Sequence, residues 1–275
     1  MTIKSHKGFD IKWNVERSSY ADKQKALVNQ RAGSMVWSPD GVWLTYSATG
    51  AVSRYTASTP WDVSTLGTYE IGTGSTMAGL FVSVDGLQGF TINNTDTFAL
   101  VEEFVFSIPH DVTSNTYVGA HDLSSITVLD KVHSISFSPD GLQYFMSGTR
   151  KGGSIGTIES FTLSSPYDLS TAVADNKTFA YAGDTFFTAS AMYIRFNGTK
   201  MYVGGDDVNG GVVDQYEFGT AWDVETLTFI SSYKFTELTD DTTDIQAITF
   251  NPIGTVMYVF ANSFTTEATR QYDIS

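Results

Sequence analysis

Ser38-Pro39-Asp40-Gly41 and Ser138-Pro139-Asp140-Gly141 are two copies of a turn that comes round five times. The other copies are Ser83-Val84-Asp85-Gly86, Arg195-Phe196-Asn197-Gly198 and Asn251-Pro252-Ile253-Gly254. In the fullest form, Pro fixes φ at the second position, Asp tolerates the third, and Gly accepts the left-handed conformation that starts a new strand. Six and four residues before each glycine stand two apolar side chains: Met35 and Trp37, Leu80 and Val82, Ile135 and Phe137, Met192 and Ile194, Ile248 and Phe250. That is the period-2 pattern of a strand with one buried face. After each glycine a second strand is expected, at 42–46, 87–92, 142–146, 201–203 and 256–260, all rich in β-branched and aromatic residues.

A second mark follows each of the first four glycines before the next turn begins: Trp61-Asp62, His110-Asp111, Tyr167-Asp168 and Trp222-Asp223. Six residues before each stands an aromatic, Tyr55, Phe104, Phe161 or Tyr216, so a third strand runs into a fixed turn and a fourth leaves it. Four short strands per unit, with the turn glycine recurring at Gly41, Gly86, Gly141, Gly198 and Gly254, predict an all-β five-bladed β-propeller filling 1–275.

The fifth unit stops at Gln271-Tyr272-Asp273-Ile274-Ser275, without an aromatic-Asp turn or a fourth strand. Trp13-Asn14-Val15, near the other end, matches Trp222-Asp223-Val224. The spacing predicts that 13–30 completes the last blade and closes the ring, removing an open sheet edge, with 1–12 as an N-terminal tether.

Charge is uneven. Residues 1–31 hold seven Lys/Arg against three acidic residues, and the remainder holds nine against 27. The expected meaning is a basic closing strand drawn to an acidic ring, and the sharper alternative is a basic N-terminus that docks on an acidic partner. A net charge of −14 argues against nucleic acid, whose binding needs clustered Lys/Arg. The absence of cysteine removes disulfide, thiol and thiolate-metal chemistry. Residues 1–10 carry no apolar core of an export signal, and no run of 18 apolar residues exists, so membrane insertion is not expected.

Candidate chemistry is sparse. His6, His110, His121 and His133 have no metal-ligand spacing, and nucleophile-elbow and phosphate-loop motifs are missing. The acidic clusters Asp206/Asp207 and Asp240/Asp241/Asp244 lack calcium-loop spacing. No catalytic, cofactor or metal site is therefore expected. The recurring pairs Trp61/Asp62, Tyr167/Asp168 and Trp222/Asp223 have two readings. An aromatic beside a carboxylate stacks and hydrogen-bonds a sugar ring; the same pair recurring in every blade is also what folding alone would require, with Asp capping the next turn. The second reading is preferred because Asn14 and His110 depart from the pattern without breaking the repeat. Partner contacts are expected on the loops 113–125, 150–156 and 206–211.

The pattern running through 161–171 and 216–226, aromatic-x-[Leu/Phe]-[Ser/Gly]-x-[Pro/Ala]-[Tyr/Trp]-Asp-[Leu/Val]-[Ser/Glu]-Thr, resembles repeats in β-propeller proteins of tailed, often marine, bacteriophages and of related bacterial surface proteins. Trp37-Ser38-Pro39-Asp40-Gly41 also resembles repeats of periplasmic TolB-like propellers, but those are exported. The phage resemblance implies a non-enzymatic virion component, a capsid decoration or receptor-binding appendage, whose partners are other virion proteins or a host-surface glycan or protein. A sugar-binding adhesin is the alternative, and a propeller hydrolase or lactonase ranks last.

Overall fold

The computed structural model describes residues 13–27, 33–48, 50–74, 77–93, 100–152, 156–181, 188–207, 210–235, 244–262 and 268–274. Within them lie five four-stranded antiparallel sheets and no α-helix. Blade 1 is Ser34–Trp37, Trp43–Ala48, Ala51–Ala57 and Leu66–Ile71. Blade 2 is Met77–Val82, Gln88–Asn93, Leu100–Phe106 and Asn115–Asp122. Blade 3 is Leu129–Phe137, Gln143–Arg150, Gly156–Thr162 and Val173–Ala180. Blade 4 is Thr188–Ile194, Lys200–Asp207, Gly210–Phe218 and Leu227–Lys234. Blade 5 takes Asp244–Phe250, Val256–Asn262 and Ala268–Ile274 from the end of the chain and Ser18–Lys25 from its beginning.

The first strands touch one another in a cycle, blade 1 to 2, 2 to 3, 3 to 4, 4 to 5 and 5 back to 1, so they surround a central axis. The molecule is a five-bladed propeller. Its closure is the expected one: Ser18 pairs with Ile274, Tyr20 with Tyr272 and Lys25 with Thr269, across one irregularity between Tyr20 and Lys23. Lys23 Nζ lies 2.6 Å from Asp62 of blade 1, and Lys25 stands over the Tyr55 ring. The basic closing strand thus meets acidic and aromatic groups of its neighbour. The tether at 1–12 lies outside the described residues.

Apolar side chains are buried between blades. One cluster joins Trp13, Tyr202, Val213, Ile248 and Phe250 of blades 4 and 5, and another joins Trp37, Tyr46, Tyr258 and Phe260 of blades 5 and 1. Burial of such side chains contributes roughly 1.5–3 kcal/mol each, so blade-to-blade packing holds the disc together.

Two expected irregular loops fail here. In 206–211 the described residues belong to strands, Asp206 pairing with Gly211 and Asp207 with Gly210. Residues 113–125 are not an irregular loop, because Asn115–Asp122 is the outer strand of blade 2, paired with Leu100–Phe106. Its Gly119, His121 and Asp122 mislead by composition, yet Tyr117 and Val118 supply strand propensity, with Tyr117 opposite Phe104 and Val118 at an irregularity in the ladder.

Candidate functional site

Antiparallel order puts the turn between strands one and two at the same end of a blade as the turn between strands three and four. This end is called the turn face. In blade 1 the Ser38 hydroxyl donates to Asp40 Oδ1 at 2.6 Å and accepts from the Trp43 N–H at 2.9 Å, while Gly41 N–H closes the turn on Ser38 O. Gly41, Gly86, Gly141, Gly198 and Gly254 all have φ between 66° and 73°, the left-handed region where a side chain is strained.

The aromatic of the second turn is also left-handed: Trp13, Trp61, His110, Tyr167 and Trp222 have φ from 58° to 68°. For such bulky residues this conformation is unfavourable, and the turn glycine compensates. The Trp61 N–H donates to Gly41 O at 3.0 Å and its ring lies flat on Gly41, where a Cβ would come within 2.4 Å of the indole. His110 on Gly86, Tyr167 on Gly141, Trp222 on Gly198 and Trp13 on Gly254 repeat the arrangement. The next residue caps a single 3₁₀ turn: Asp62 accepts from Ser64 N–H, Asp168 from Ser170 N–H, Asp223 from Glu225 N–H, and Asn14 from Glu16 N–H.

Each predicted site residue is thereby placed. Trp61, Tyr167 and Trp222 cover glycines, and Asp62, Asp168 and Asp223 cap turns; Asp62 and Asp223 also pair with Lys23 and Lys177. The Lys23 hydrogen bond and the Ser64 donors outweigh burial, which alone would raise it, and hold the Asp62 carboxyl below its ordinary range. The three pairs stay in blades 1, 3 and 4, and the structure does not bring them together.

Neighbouring blades are welded at the same turns. The Tyr202 hydroxyl of blade 4 donates to Trp13 O, and that of Tyr258 in blade 5 donates to Trp61 O, both at 2.6 Å. Blade 1 has Thr45 at the tyrosine position, too short to reach. Arg54 replaces it, donating to His110 O at 2.9 Å and pairing with Asp111 at 3.2 Å.

The turn face opens into the central channel. A cavity of about 280 Å³ is walled by the first strands, with Trp37, Phe81, Phe137, Tyr193 and Phe250 among its lining. Aromatic contacts run along the wall, with centroids 4.9 Å apart for Phe81 and Phe137 and 5.0 Å for Tyr193 and Phe250. The rim is one residue per blade, Pro39, Val84, Pro139, Phe196 and Pro252. All five are exposed, Val84 and Phe196 at 59% each. Sequence reading missed this site because it gave the second turn position to φ control; Val84 and Phe196, which control no φ, were the available signal.

Outside the apolar rim stand Asp40, Asp85 and Asp140. Hydrogen bonds from Ser83 and Leu87 N–H, and from Ser138 and Leu142 N–H, hold the carboxyls of Asp85 and Asp140 down; in Asp40, burial works upward but Ser38 and Val42 N–H prevail. All three are anionic at neutral pH. Trp61 and His110 also line the cavity. Burial lowers the His110 pKa against the pull of Asp40 and Asp85, so its ring is neutral there.

Elsewhere, Asp244 at the opposite end of the blade 5 inner strand accepts from Ser190 Oγ at 2.9 Å. Burial, with Asp206 nearby, pushes its carboxyl up to about 6. The side chain of Asp207 and residues 240 and 241 lie outside the described set, as do parts of 150–156 and 206–211. Among the described residues no group of three His, Asp or Glu is placed to hold a metal, and no helix is long and apolar enough to cross a membrane.

No protein-family model matches the chain, and no curated protein does. Among solved structures, a functionally unknown protein from Desulfotomaculum acetoxidans DSM 771 is 12% identical, with a TM-score of 0.46 over 82% of this chain and 62% of that one. The Myceliophteria thermophila Cps50 (Swd1) beta-propeller domain is also 12% identical, with a TM-score of 0.42 over 87% of this chain and 65% of that one. The chain spans somewhat less than two thirds of each. Neither likeness carries a function to this protein.

Proposed function

We propose that the protein is a non-enzymatic binding disc, a component of a tailed-phage virion that holds another virion protein or a host-surface molecule on its turn face. The observation that carries the binding role is the exposed apolar ring around an aromatic-walled mouth, since contiguous exposed apolar surface on a rigid frame marks an interaction site. The virion assignment rests on the repeat pattern at 161–171 and 216–226. A non-catalytic role is the reading that suits this lining: aromatic, aliphatic and proline side chains dominate it, the hydroxyls of Ser34, Ser83, Ser136 and Thr249 are interspersed, and its one imidazole, His110, has no carboxylate beside it in the described lining, where acid–base or nucleophilic catalysis needs convergent titratable groups.

Mass spectrometry of purified particles tests the reading. The protein is expected in particles at a copy number tied to capsid or tail symmetry, and recovery only in the soluble fraction of the lysate contradicts it. The sugar-binding alternative ranks second because the geometry commits its aromatic rings to glycines and its carboxylates to caps. It predicts glycan binding that Trp61→Ala and Trp222→Ala abolish.

A further inference from the structure

We propose that the channel mouth is a docking site for a segment of a partner protein that inserts one large apolar side chain, flanked by lysine or arginine, with one segment per disc. The inference rests on the reading of the protein as a binding disc and names what the disc holds.

Size comes first. A cavity of about 280 Å³ lies just under the range of pockets that enclose drug-sized ligands, roughly 300–1,000 Å³, and suits one or two side chains. All five first strands converge on it, so it is one axial seat shared by the whole ring.

The rim decides between a free small molecule and a protein. A small molecule filling the cavity would leave Val84, Phe196 and the three rim prolines in water. A protein covers cavity and rim together, giving a buried anchor surrounded by contacts that exclude solvent.

Charge sets the flanks. Asp40, Asp85 and Asp140 each follow a rim residue directly and are exposed. The basic residue of the rim turns, Arg195, lies 4.7 Å over the Trp13 ring. The chain as a whole carries a net charge of −14, and three of the five rim turns add an exposed aspartate beside the mouth, so the field there repels an acidic segment and steers a basic one inward.

The test is to pan a display library of random dodecapeptides against the immobilised full-length protein, with a Val84→Asp/Phe196→Asp double variant as the counter-target. Both substitutions fall on exposed side chains, and circular dichroism with thermal melting confirms that the variant folds. Enriched peptides are expected to share one aromatic or large aliphatic residue with Lys or Arg within a few positions. A labelled synthetic copy should bind with 1:1 stoichiometry, about tenfold or more weaker once its anchor is changed to Ser or the disc carries the double substitution. It should also weaken as salt screens the aspartates.

No enrichment, peptides without an apolar anchor or with acidic flanks, or binding that survives the double substitution overturns the proposal. So does a dimer in light scattering that the double substitution dissolves, because a second copy would then occupy the mouth. Panning uses isolated protein, so absence from virions sinks only the virion reading, and failed panning leaves virion attachment through another surface standing.

Discussion

At the scale of the residue, the unit that recurs is a glycine and an aromatic that allow each other's backbone. Gly198→Ala places a methyl group 2.4 Å from Trp222 ring atoms on a backbone with φ of 66°. The left-handed strain alone costs about 1–2 kcal/mol, and overpacking adds about 1–3 kcal/mol. Gly50→Ala meets the same kind of strain at φ of 83° with no atom within 4 Å, so it should cost the strain alone. Urea denaturation of both variants checks the difference; equal losses would mean that the ring does not lie on the glycine. Asp244 gives the second test. Its folded carboxyl, near 6, lies above the unfolded value, so the folded state binds the proton more tightly. That contribution is fully present below about pH 4 and is lost as pH rises towards 6, amounting to roughly 3 kcal/mol. Asp244→Asn should therefore be about as stable as the native protein at pH 4 and more stable at pH 7, and an unchanged difference across that range contradicts the assignment.

At the scale of the element, the turn-to-turn welds make the closing joint equivalent to an internal one. Tyr202→Phe frees Trp13 O at the interface the N-terminal segment forms with blade 4, and Tyr258→Phe frees Trp61 O between blades 5 and 1. Each should cost about 1–3 kcal/mol for a carbonyl left without its donor. A negligible loss for Tyr202→Phe beside a clear one for Tyr258→Phe would show the closing joint to be looser than the rest. The strands and turns were legible in the sequence because their demands are local: Pro for φ, Gly for the left-handed region, alternation for one buried face. Tryptophan in a left-handed conformation was not legible, since propensity opposes it and the compensating glycine, Gly41 for Trp61, stands a whole hairpin earlier in the chain. The outer strand at Asn115–Asp122 was misread for a related reason, its glycine and charges outweighing Tyr117 and Val118 in a reading without the partner strand.

At the scale of the whole molecule, ring closure brings five turn positions, spread along the chain from Pro39 to Pro252, into one apolar mouth. Along the chain only Val84 and Phe196, apolar at a turn position where they control no φ, hinted at that mouth, whereas the blade count and the completion of the last blade by the first strand were readable from the repeats and the unmatched ends. The mouth exists as a rigid seat because the circle is sealed. The chain has no cysteine, and Ser19 stands opposite Asp273 in the closing pair, so a Ser19→Cys/Asp273→Cys variant forms either that crosslink or none within the molecule. Mild oxidation followed by non-reducing electrophoresis and denaturation should reveal a monomeric species of altered mobility, stabilised by about 2–4 kcal/mol. Free thiols after oxidation, or crosslinks only between molecules, would contradict the closed ring.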